Sequence, residues 1–315
     1  MLDGNYTIAC TYLTFSSSSH ANFYRQGFHI MNIRRFALCL CLLVVSFLCS
    51  PCELLAAPRS KIKAKSAIVM NAVSGKILYI KNPDKQMPPA SLTKILTLYL
   101  VQEAVNTGKI KLTDMVKISV NAQLTGGSSM YLVDDNEVAL DDLIKGITIV
   151  SANDASVAVA EYLGGNVEKF VEMMNARARE LGMKHSRFMN PHGLPVQGHV
   201  STARDILTLS NAFIRDFPQA LHIHSMKEYQ FRGITQENSN TLIKQHSDVD
   251  GLKTGFVSAS GFHVVATAKR ENTRIIAVVM GEKNIKIREQ EALQLLEEGF
   301  RRSTRKAKVS RHKIH

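Results

Sequence analysis

The chain has 315 residues, a formal net charge of +12 and an apolar content of 45%, which is that of an ordinary globular protein. Seven Lys and Arg residues, and no acid, lie within 301–315, which leaves a net charge of +5 for the rest of the chain. This concentration in a tail disfavours a nucleic-acid-binding face. We expect the tail to be a disordered, solvated terminus; weak contact with an anionic membrane or wall polymer is the alternative.

The N-terminal region has the pattern of a secretory signal peptide. A basic segment at 31–35 precedes an apolar run at 36–48, and Ala56 and Ala57 offer a cleavage site. The run is shorter than the roughly 20 residues of a membrane span, and an uncleaved anchor is the alternative. Because 1–30 is polar and patternless, we expect translation to start at Met31. The mature protein is then exported to the periplasm or the exterior of the cell envelope.

Cysteine and histidine placement narrows the chemistry of the exported part. All five Cys residues precede Pro58, so the rest of the chain has no disulfide, thiolate nucleophile or thiolate metal site. No H-E-x-x-H motif or Cys/His set accompanies His222, His224 and His246, so we expect exposed loop histidines. The sequence therefore predicts chemistry that uses no metal and no cofactor.

The exported part begins with strands and then a helix. Apolar runs at 67–70 and 77–80 flank a Ser-Gly turn, which predicts a β-hairpin. A strongly apolar helix follows Pro88 and Pro89 and ends near 106–108, where Asn and Gly stop it.

The middle of the chain is helical, and the end returns to strands. The predicted helices are 140–150, 154–163, 167–181 with Asn166 as its cap, 203–217 with Ser201 and Thr202 as its cap, and 284–300. The predicted strands are 249–255, 262–269 and 273–280, the last two an antiparallel pair. This order predicts an α/β (α+β) fold, in which both chain ends build one antiparallel sheet around a helical insert at about 95–217. Residues 58–300 then form one domain between the leader, 1–57, and the tail, 301–315.

The apolar helix opens with a serine and a lysine three residues apart. Residues at i and i+3 share a helix face, so the Lys94 amine can lie beside the Ser91 hydroxyl. Free N–H groups in the first helical turn favour developing negative charge, which suits a nucleophile. A lysine can activate a serine only when burial or a nearby cation, such as Lys253, lowers its pKa.

Three short motifs occur together in contexts that favour serine chemistry. Spacing alone is weak evidence, because Ser-x-x-Lys also occurs at Ser60, Ser303 and Ser310 in patternless segments. The conjunction is stronger, since each motif occupies a distinct context in a fixed order. These motifs are Ser91-x-x-Lys94 opening a helix, Ser151-Ala152-Asn153 between two helices, and Lys253-Thr254-Gly255 at the end of a strand.

Four further segments extend the pattern: Leu-Gly-Met at 181–183, Pro-His-Gly-Leu at 191–194, Ser-Thr-Ala-Arg-Asp at 201–205, and Asp-Gly-Leu-Lys-Thr-Gly at 250–255. With these, the chain resembles the D-alanyl-D-alanine carboxypeptidases, the serine-type, low-molecular-mass penicillin-binding proteins, from about Ser66 to about Phe300. The resemblance implies a β-lactamase/transpeptidase-like fold. It also implies an exported D,D-carboxypeptidase that binds β-lactams and the D-Ala-D-Ala end of peptidoglycan stem peptides.

The resemblance also suggests a role for each residue. Lys94 is expected to be neutral and to deprotonate Ser91, while Ser151 relays a proton to the leaving amine. Asn153 is expected to position a substrate amide. Backbone N–H groups of Ser91 and Phe256 are expected to form the oxyanion hole.

A second group of residues is expected to bind the substrate carboxylate. Lys253 and Thr254 offer a cation and a donor, and Gly255 continues the same strand. Arg288, in the last helix, matches an Arg that family members use for this carboxylate.

Two departures from the family pattern bear on specificity and length. Ala152 stands where the family often has Gly, and Phe256 where several relatives have His. Backbone donation needs no particular side chain, so we expect activity to persist with an altered substrate preference. The family's usual C-terminal β-rich domain and amphipathic anchor are expected to be missing, because about 15 residues follow the catalytic domain.

Two other functions stay open. A class A serine β-lactamase would need a Glu four residues before an Asn between Ser151 and Lys253, and this chain lacks that spacing. A non-catalytic penicillin-binding sensor or scaffold tends to lose a motif residue, and all of them are present.

Overall fold

The computed structural model describes residues 61–311, with side chains up to Thr304. The predicted start at Met31, the leader and the last residues of the tail lie outside the described residues. The strands are β1 (Ser66–Asn71), β2 (Lys76–Lys81), β3 (Met115–Lys117), β4 (Glu137–Ala139), β5 (Glu228–Phe231), β6 (Ile234–Glu237), β7 (Val249–Val257), β8 (Gly261–Arg270) and β9 (Thr273–Glu282).

Helices fill the middle of the chain and close its end. They are α1 (Lys94–Asn106), α2 (Val120–Gln123), α3 (Leu140–Lys145), α4 (Asn153–Gly164), α5 (Val167–Glu180), α6 (Ala203–Asp216), α7 (Leu221–His224), α8 (Leu242–Gln245) and α9 (Ile285–Arg311). Among the described residues, no helix is both long and apolar enough to cross a bilayer.

One five-stranded sheet carries the fold, in the order β2-β1-β9-β8-β7. All its pairs are antiparallel, and β1, from the start of the domain, pairs with β9, from its end. The prediction that both chain ends build one sheet around a helical insert is confirmed. The sheet therefore brings β7, with its Lys-Thr-Gly motif, to one edge.

Strand alternation divides the core into two layers. Ile68 and Met70 of β1 join a large cluster with the helical insert, whereas Ala67 and Val69 join a second cluster with α9. The division arises because successive side chains of a strand point to opposite faces of the sheet. Each large aliphatic side chain buried in these layers contributes about 1.5–3 kcal/mol.

The helix boundaries of the insert follow local chemistry. The Asn166 side chain accepts from Lys169 N at 2.8 Å, and the Thr202 hydroxyl accepts from Asp205 N at 3.1 Å. Both predicted caps are confirmed, with Thr202 as the capping residue of α6. The helix predicted at 140–150 is α3 followed by a π-helical turn, Gly146–Val150, which ends where Ser151 becomes left-handed.

The last helix extends beyond its predicted end at Phe300. Arg301 and Arg302 lie on α9, and both donate to the Glu298 carboxylate. Opposite charges three and four residues apart stabilise a helix, so these pairs support its continuation past Phe300. The disordered terminus expected from residue 301 is therefore wrong as far as Arg311.

Gly193 packs directly against the turn that precedes α1. Its φ is +89°, and a Cβ built on it would lie 1.9 Å from the carbonyl oxygen of Ala90. Gly198 has a similar φ of +85°, but nothing lies within 4 Å of a Cβ built there. Backbone conformation demands glycine at both positions, whereas close packing demands it at Gly193 alone.

We therefore expect Gly193→Ala to destabilise the protein more than Gly198→Ala does. The left-handed conformation costs an alanine about 1–2 kcal/mol at either position. The clash with Ala90 should add about 1–3 kcal/mol at Gly193. Urea unfolding followed by far-UV circular dichroism measures both variants, and equal losses would show that the contact does not constrain the fold.

Candidate active site

Ser91 lies in a tight turn rather than on the α-helix itself. Ala90–Thr93 forms a 3-10 turn that continues into α1, and Ala90 has a φ of +51°. Pro89 cannot extend the helix backwards, and its carbonyl accepts from Leu92 N at 3.2 Å. A further hydrogen bond holds the turn from outside, because the Ser260 hydroxyl donates to Pro88 O at 2.9 Å. The nucleophile candidate thus directly follows a strained backbone position, Ala90.

The Lys94 amine is fully buried beside Ser91. Its Nζ lies 3.1 Å from Ser91 Oγ, 2.6 Å from Asn153 Oδ1 and 2.7 Å from His192 O. Burial lowers the pKa of Lys94 well below its ordinary value, and the charge of Lys253 lowers it further. The predicted pairing of Ser91 with a lysine of depressed pKa is therefore present in the structure.

Ser151 and Asn153 enter the site from the junction between the π-helical turn and α4. Ser151 has a φ of +67°, and its buried hydroxyl has no hydrogen-bond partner among the described residues. The Asn153 side chain is engaged on both sides, with Lys94 at Oδ1 and with Gly126 O at Nδ2 (2.6 Å). Asn153 therefore positions the lysine, a contact that the sequence did not indicate.

The β7 edge passes close to the serine turn. A Cβ on Gly255 would lie 3.1 Å from Ser91 N and 3.2 Å from Ala90 Cβ. A Cβ here would force β7 or the serine turn to move by a few tenths of an ångström, so this glycine permits the close approach of β7 to the serine. Phe256, the next residue, is 53% exposed and its ring stacks on Phe262 with centroids 4.3 Å apart.

Two basic side chains of the predicted carboxylate site are buried, one on β7 itself and one on α9. Lys253 is 1% exposed, and its Nζ donates to Thr254 O at 3.2 Å. Burial, with a contribution from the charge of Arg288, lowers the pKa of Lys253 to about 7. Arg288 is 4% exposed and pairs with Glu289 at 3.1 Å. The Thr254 hydroxyl donates to Ser239 Oγ at 3.1 Å. Strand β7 thus supplies Lys253 and Thr254, and α9 supplies Arg288, so two basic groups and a hydroxyl offer an arrangement suited to an anion.

Sequence reasoning missed the histidines that surround the lysine. His192 supplies its carbonyl to Lys94, and His199 Nε2 lies 2.9 Å from Thr93 Oγ1. Burial lowers the pKa of His192 to about 3 and that of His199 to about 4, so both are neutral at physiological pH. The Pro-His-Gly segment at 191–194 was noted only as part of a resemblance. The His192 backbone carbonyl that accepts from Lys94 cannot be recognised from the type of side chain at that position.

The expectation of exposed loop histidines is wrong for His224. This residue is 2% exposed, lies on α7, and its Nδ1 is 2.9 Å from Leu252 O. Burial lowers its pKa to about 4. His224 anchors β7 one residue before Lys253. Within residues 61–311, no three metal-ligating side chains cluster.

Comparison with known proteins identifies relatives of this arrangement. The family model Peptidase_S11, D-alanyl-D-alanine carboxypeptidase, matches residues 53–284. D-alanyl-D-alanine carboxypeptidase DacC of Escherichia coli is 43% identical over 247 residues, which cover 76% of this chain and 62% of the relative. DacF of Bacillus subtilis is 38% identical over 242 residues, with the same coverage. The chain therefore spans less than two thirds of the length of these relatives.

Solved structures give the same result. Penicillin binding protein 5 from Haemophilus influenzae superposes with a TM-score of 0.75 at 42% identity, covering 77% of this chain and 72% of that one. Penicillin-Binding Protein D2 from Listeria monocytogenes in its ampicillin-bound form has a TM-score of 0.71 at 31% identity, covering 77% and 99%. These matches confirm the predicted transpeptidase-like fold, and the chain belongs to the D-alanyl-D-alanine carboxypeptidase family of peptidases.

Proposed function

We propose that this protein is an exported serine D,D-carboxypeptidase that removes the terminal D-alanine from peptidoglycan stem peptides. The observation that carries the proposal is the contact of Ser91 Oγ with the buried Lys94 amine, 3.1 Å apart. Family membership supports the reaction class. The leader at 1–57 supports export, and contact of the basic tail with an anionic surface stays a prediction.

The buried amine is equipped to act as a general base. A neutral amine donates two hydrogens, and Asn153 Oδ1 and His192 O are placed to accept them at 2.6 and 2.7 Å. The lone pair is then left for the Ser91 hydroxyl. When Ser91 Oγ attacks the carbonyl carbon of the penultimate D-alanine, its proton passes to Lys94.

The remaining steps use the other motif residues. Backbone N–H groups of Ser91 and Phe256 stabilise the oxyanion, each worth roughly 3 kcal/mol. The peptide C–N bond breaks, and the departing D-alanine amine takes a proton through the Ser151 hydroxyl from Lys94. Water then attacks the acyl-serine carbonyl and gives a proton to Lys94. The ester C–O bond breaks, Lys94 returns the proton to Ser91 Oγ, and the shortened peptide leaves. In this scheme every proton moves to or from Ser91, Lys94 or Ser151.

The protein selects its substrate by binding the C-terminal carboxylate of the peptide. Lys253 and Arg288 are buried cations, and Thr254 adds a hydroxyl donor. Arg288 already pairs with Glu289, whereas Lys253 donates to a backbone carbonyl, so a bound carboxylate would offset the cost of burying the Lys253 charge. β-Lactams carry a carboxylate and a reactive amide, so we expect them to acylate Ser91.

The rate at which the acyl-enzyme is hydrolysed and the products that are released distinguish the proposal from its alternatives. Slow hydrolysis of the penicilloyl-enzyme is expected of a peptidase, whereas rapid turnover would indicate a β-lactamase. D-alanine release from a pentapeptide excludes a non-catalytic sensor. Comparison of products from cross-linked and uncross-linked wall fragments separates carboxypeptidase from endopeptidase action.

The first prediction concerns the nucleophile. Ser91→Ala should abolish covalent labelling by a fluorescent penicillin and lower D-alanine release by at least about 10³-fold, because the acyl-serine cannot form. Ser303→Ala is the control, since Ser303 also has a lysine three residues later. Persistent labelling of the Ser91→Ala protein would reject the assignment.

The second prediction concerns pH. Acylation should require a neutral Lys94, so its rate should rise with pH at a point well below 10.4, the ordinary pKa of lysine. Above about pH 7, loss of the Lys253 proton should weaken carboxylate binding and lower the rate. Stopped-flow measurement of the penicillin acylation rate from pH 4 to 10 follows both the rise of the rate with pH, the rising limb, and its fall above about pH 7, the falling limb.

Lys253→Gln tests the assignment of these limbs. Removing the neighbouring cation should raise the pKa of Lys94, so the rising limb should move to higher pH and the falling limb should disappear. An unchanged profile would show that Lys253 influences neither limb.

The third prediction compares neighbouring residues on β7. Gly255→Ala should lower the acylation rate by roughly 10²-fold, because its Cβ would push the Phe256 N–H away from the oxyanion. Phe256→Ala keeps that N–H and should stay within about tenfold of the original rate on the same substrate. A larger loss in Phe256→Ala than in Gly255→Ala would contradict backbone donation.

A further inference from the structure

One buried carboxylate beside the catalytic motifs has no role in the proposed chemistry. Asp154 follows Asn153 in the first turn of α4 and is fully buried. We propose that Asp154 is a positioning residue, which provides the counter-charge for the Lys94 ammonium and holds the 126–132 segment against Asn153. This inference rests on the proposed function of Ser91 and Lys94.

Both carboxylate oxygens of Asp154 accept hydrogen bonds from neighbouring groups. Its oxygens accept from Ser129 Oγ at 2.6 Å, Met130 N at 3.1 Å, Leu132 N at 3.1 Å and Ala155 N at 2.9 Å. The helix dipole at the start of α4 also favours negative charge there. No Lys or Arg within the described part of the chain forms an ion pair with this carboxylate. Its charge is therefore available to the groups around it.

The same helical turn holds the 126–132 segment, whose contact with Asn153 and Asp154 is called the wall contact below. Asn153 N donates to Ser128 O at 2.7 Å, and its side chain donates to Gly126 O at 2.6 Å. A Cβ on Gly127 would lie 2.5 Å from Asn153 Nδ2, so this segment packs directly on the residue that contacts Lys94. Tight hydrogen bonding to Asn153 and Asp154 therefore fixes the segment relative to the base.

Strain within the segment indicates that its position is enforced. Tyr131 has a φ of +64° and is 69% exposed, although a bulky residue rarely adopts this conformation. Its N–H donates to Ser129 Oγ at 2.8 Å, and that hydroxyl donates in turn to Asp154. Such strain persists only where surrounding contacts over-determine it. The carboxylate is the anchor of these contacts.

The charges that face Lys94 give Asp154 its second role. Lys253 approaches from β7, while His192 and His199, from the segment after α5, are neutral at physiological pH. Asp154 opposes the effects of burial and of Lys253 and raises the pKa of Lys94. It is the one acid that acts on this amine among the described residues.

This opposition matters in the transition state. When Ser91 loses its proton, Lys94 becomes a buried ammonium next to Lys253. A carboxylate that interacts with the charged form stabilises this state more than the neutral ground state, which is the condition for accelerating the step. Asp154 acts through Lys94 and does not contact the reacting carbonyl.

Asp154→Asn tests the inference through the pH profile of penicillin acylation. Loss of the negative charge should lower the pKa of Lys94, so the rising limb should move to lower pH, and the plateau rate should fall. Asp154→Glu keeps the charge and should keep the limb near its original pH. Ser129→Ala breaks the wall contact without a change of charge, so it should lower the plateau and leave the limb in place.

Each outcome has one interpretation. If the rising limb of the acylation profile lies at the same pH in the original protein, Asp154→Asn and Ser129→Ala, the electrostatic role is overturned. If Asp154→Asn does not fold, Asp154→Ser supplies a second neutral variant. Failure of both to fold, while Asp154→Glu folds, would assign the carboxylate to stability alone and overturn the proposal. Absence of acylation at Ser91 in the original protein would instead reject the proposed function.

Discussion

The burial of the Lys94 amine is the constraint on which the site depends. A charged ammonium in a water-excluded position is costly unless it is paired and hydrogen-bonded, and loss of its proton is the simplest way to avoid that cost. Around this amine lie an amide oxygen, a backbone carbonyl and the Ser91 hydroxyl. The geometry therefore satisfies the amine while leaving it able to accept a proton.

Three elements that are distant in sequence have to meet for this to happen. The 3-10 turn before α1 carries Ser91, the junction before α4 carries Asn153, and the β7 edge approaches through Gly255. Pairing of β1 with β9 closes the sheet and fixes β7 relative to the insert. The antiparallel sheet thus fixes the position of β7. The turn before α1 and the junction before α4 bring Lys94 and its hydrogen-bond partners to that edge of the sheet.

The site stores unfavourable interactions that the rest of the fold has to offset. Ala90 and Ser151 have positive φ values, the Ser151 hydroxyl is buried without a partner among the described residues, and Lys253 lies near Arg288. Each strained residue costs about 1–3 kcal/mol. The two hydrophobic layers on either side of the sheet supply the compensating stability. Strain and like charge are concentrated where an anionic substrate would relieve them.

Much of the molecule was predictable because its determinants are local. The hairpin, the caps at Asn166 and Thr202, the antiparallel pair β8 and β9, and the sheet built from both chain ends follow from periodicity and capping chemistry. The Ser91–Lys94 contact follows from i,i+3 spacing. The helical continuation to Arg311 does not follow from the net charge of the tail, because it involves local pairing of Arg301 with Glu298.

Long-range contacts decided the rest. Sequence by itself determined the proposed nucleophile, its neighbouring lysine and the order of the motifs, because residue type and spacing encode them. Only the tertiary structure decided that Asn153 holds Lys94, that a carbonyl from His192 completes the amine's partners, and that Asp154 lies near enough to influence its charge. These depend on burial and on contacts between segments tens of residues apart, and burial is a property of the folded chain alone.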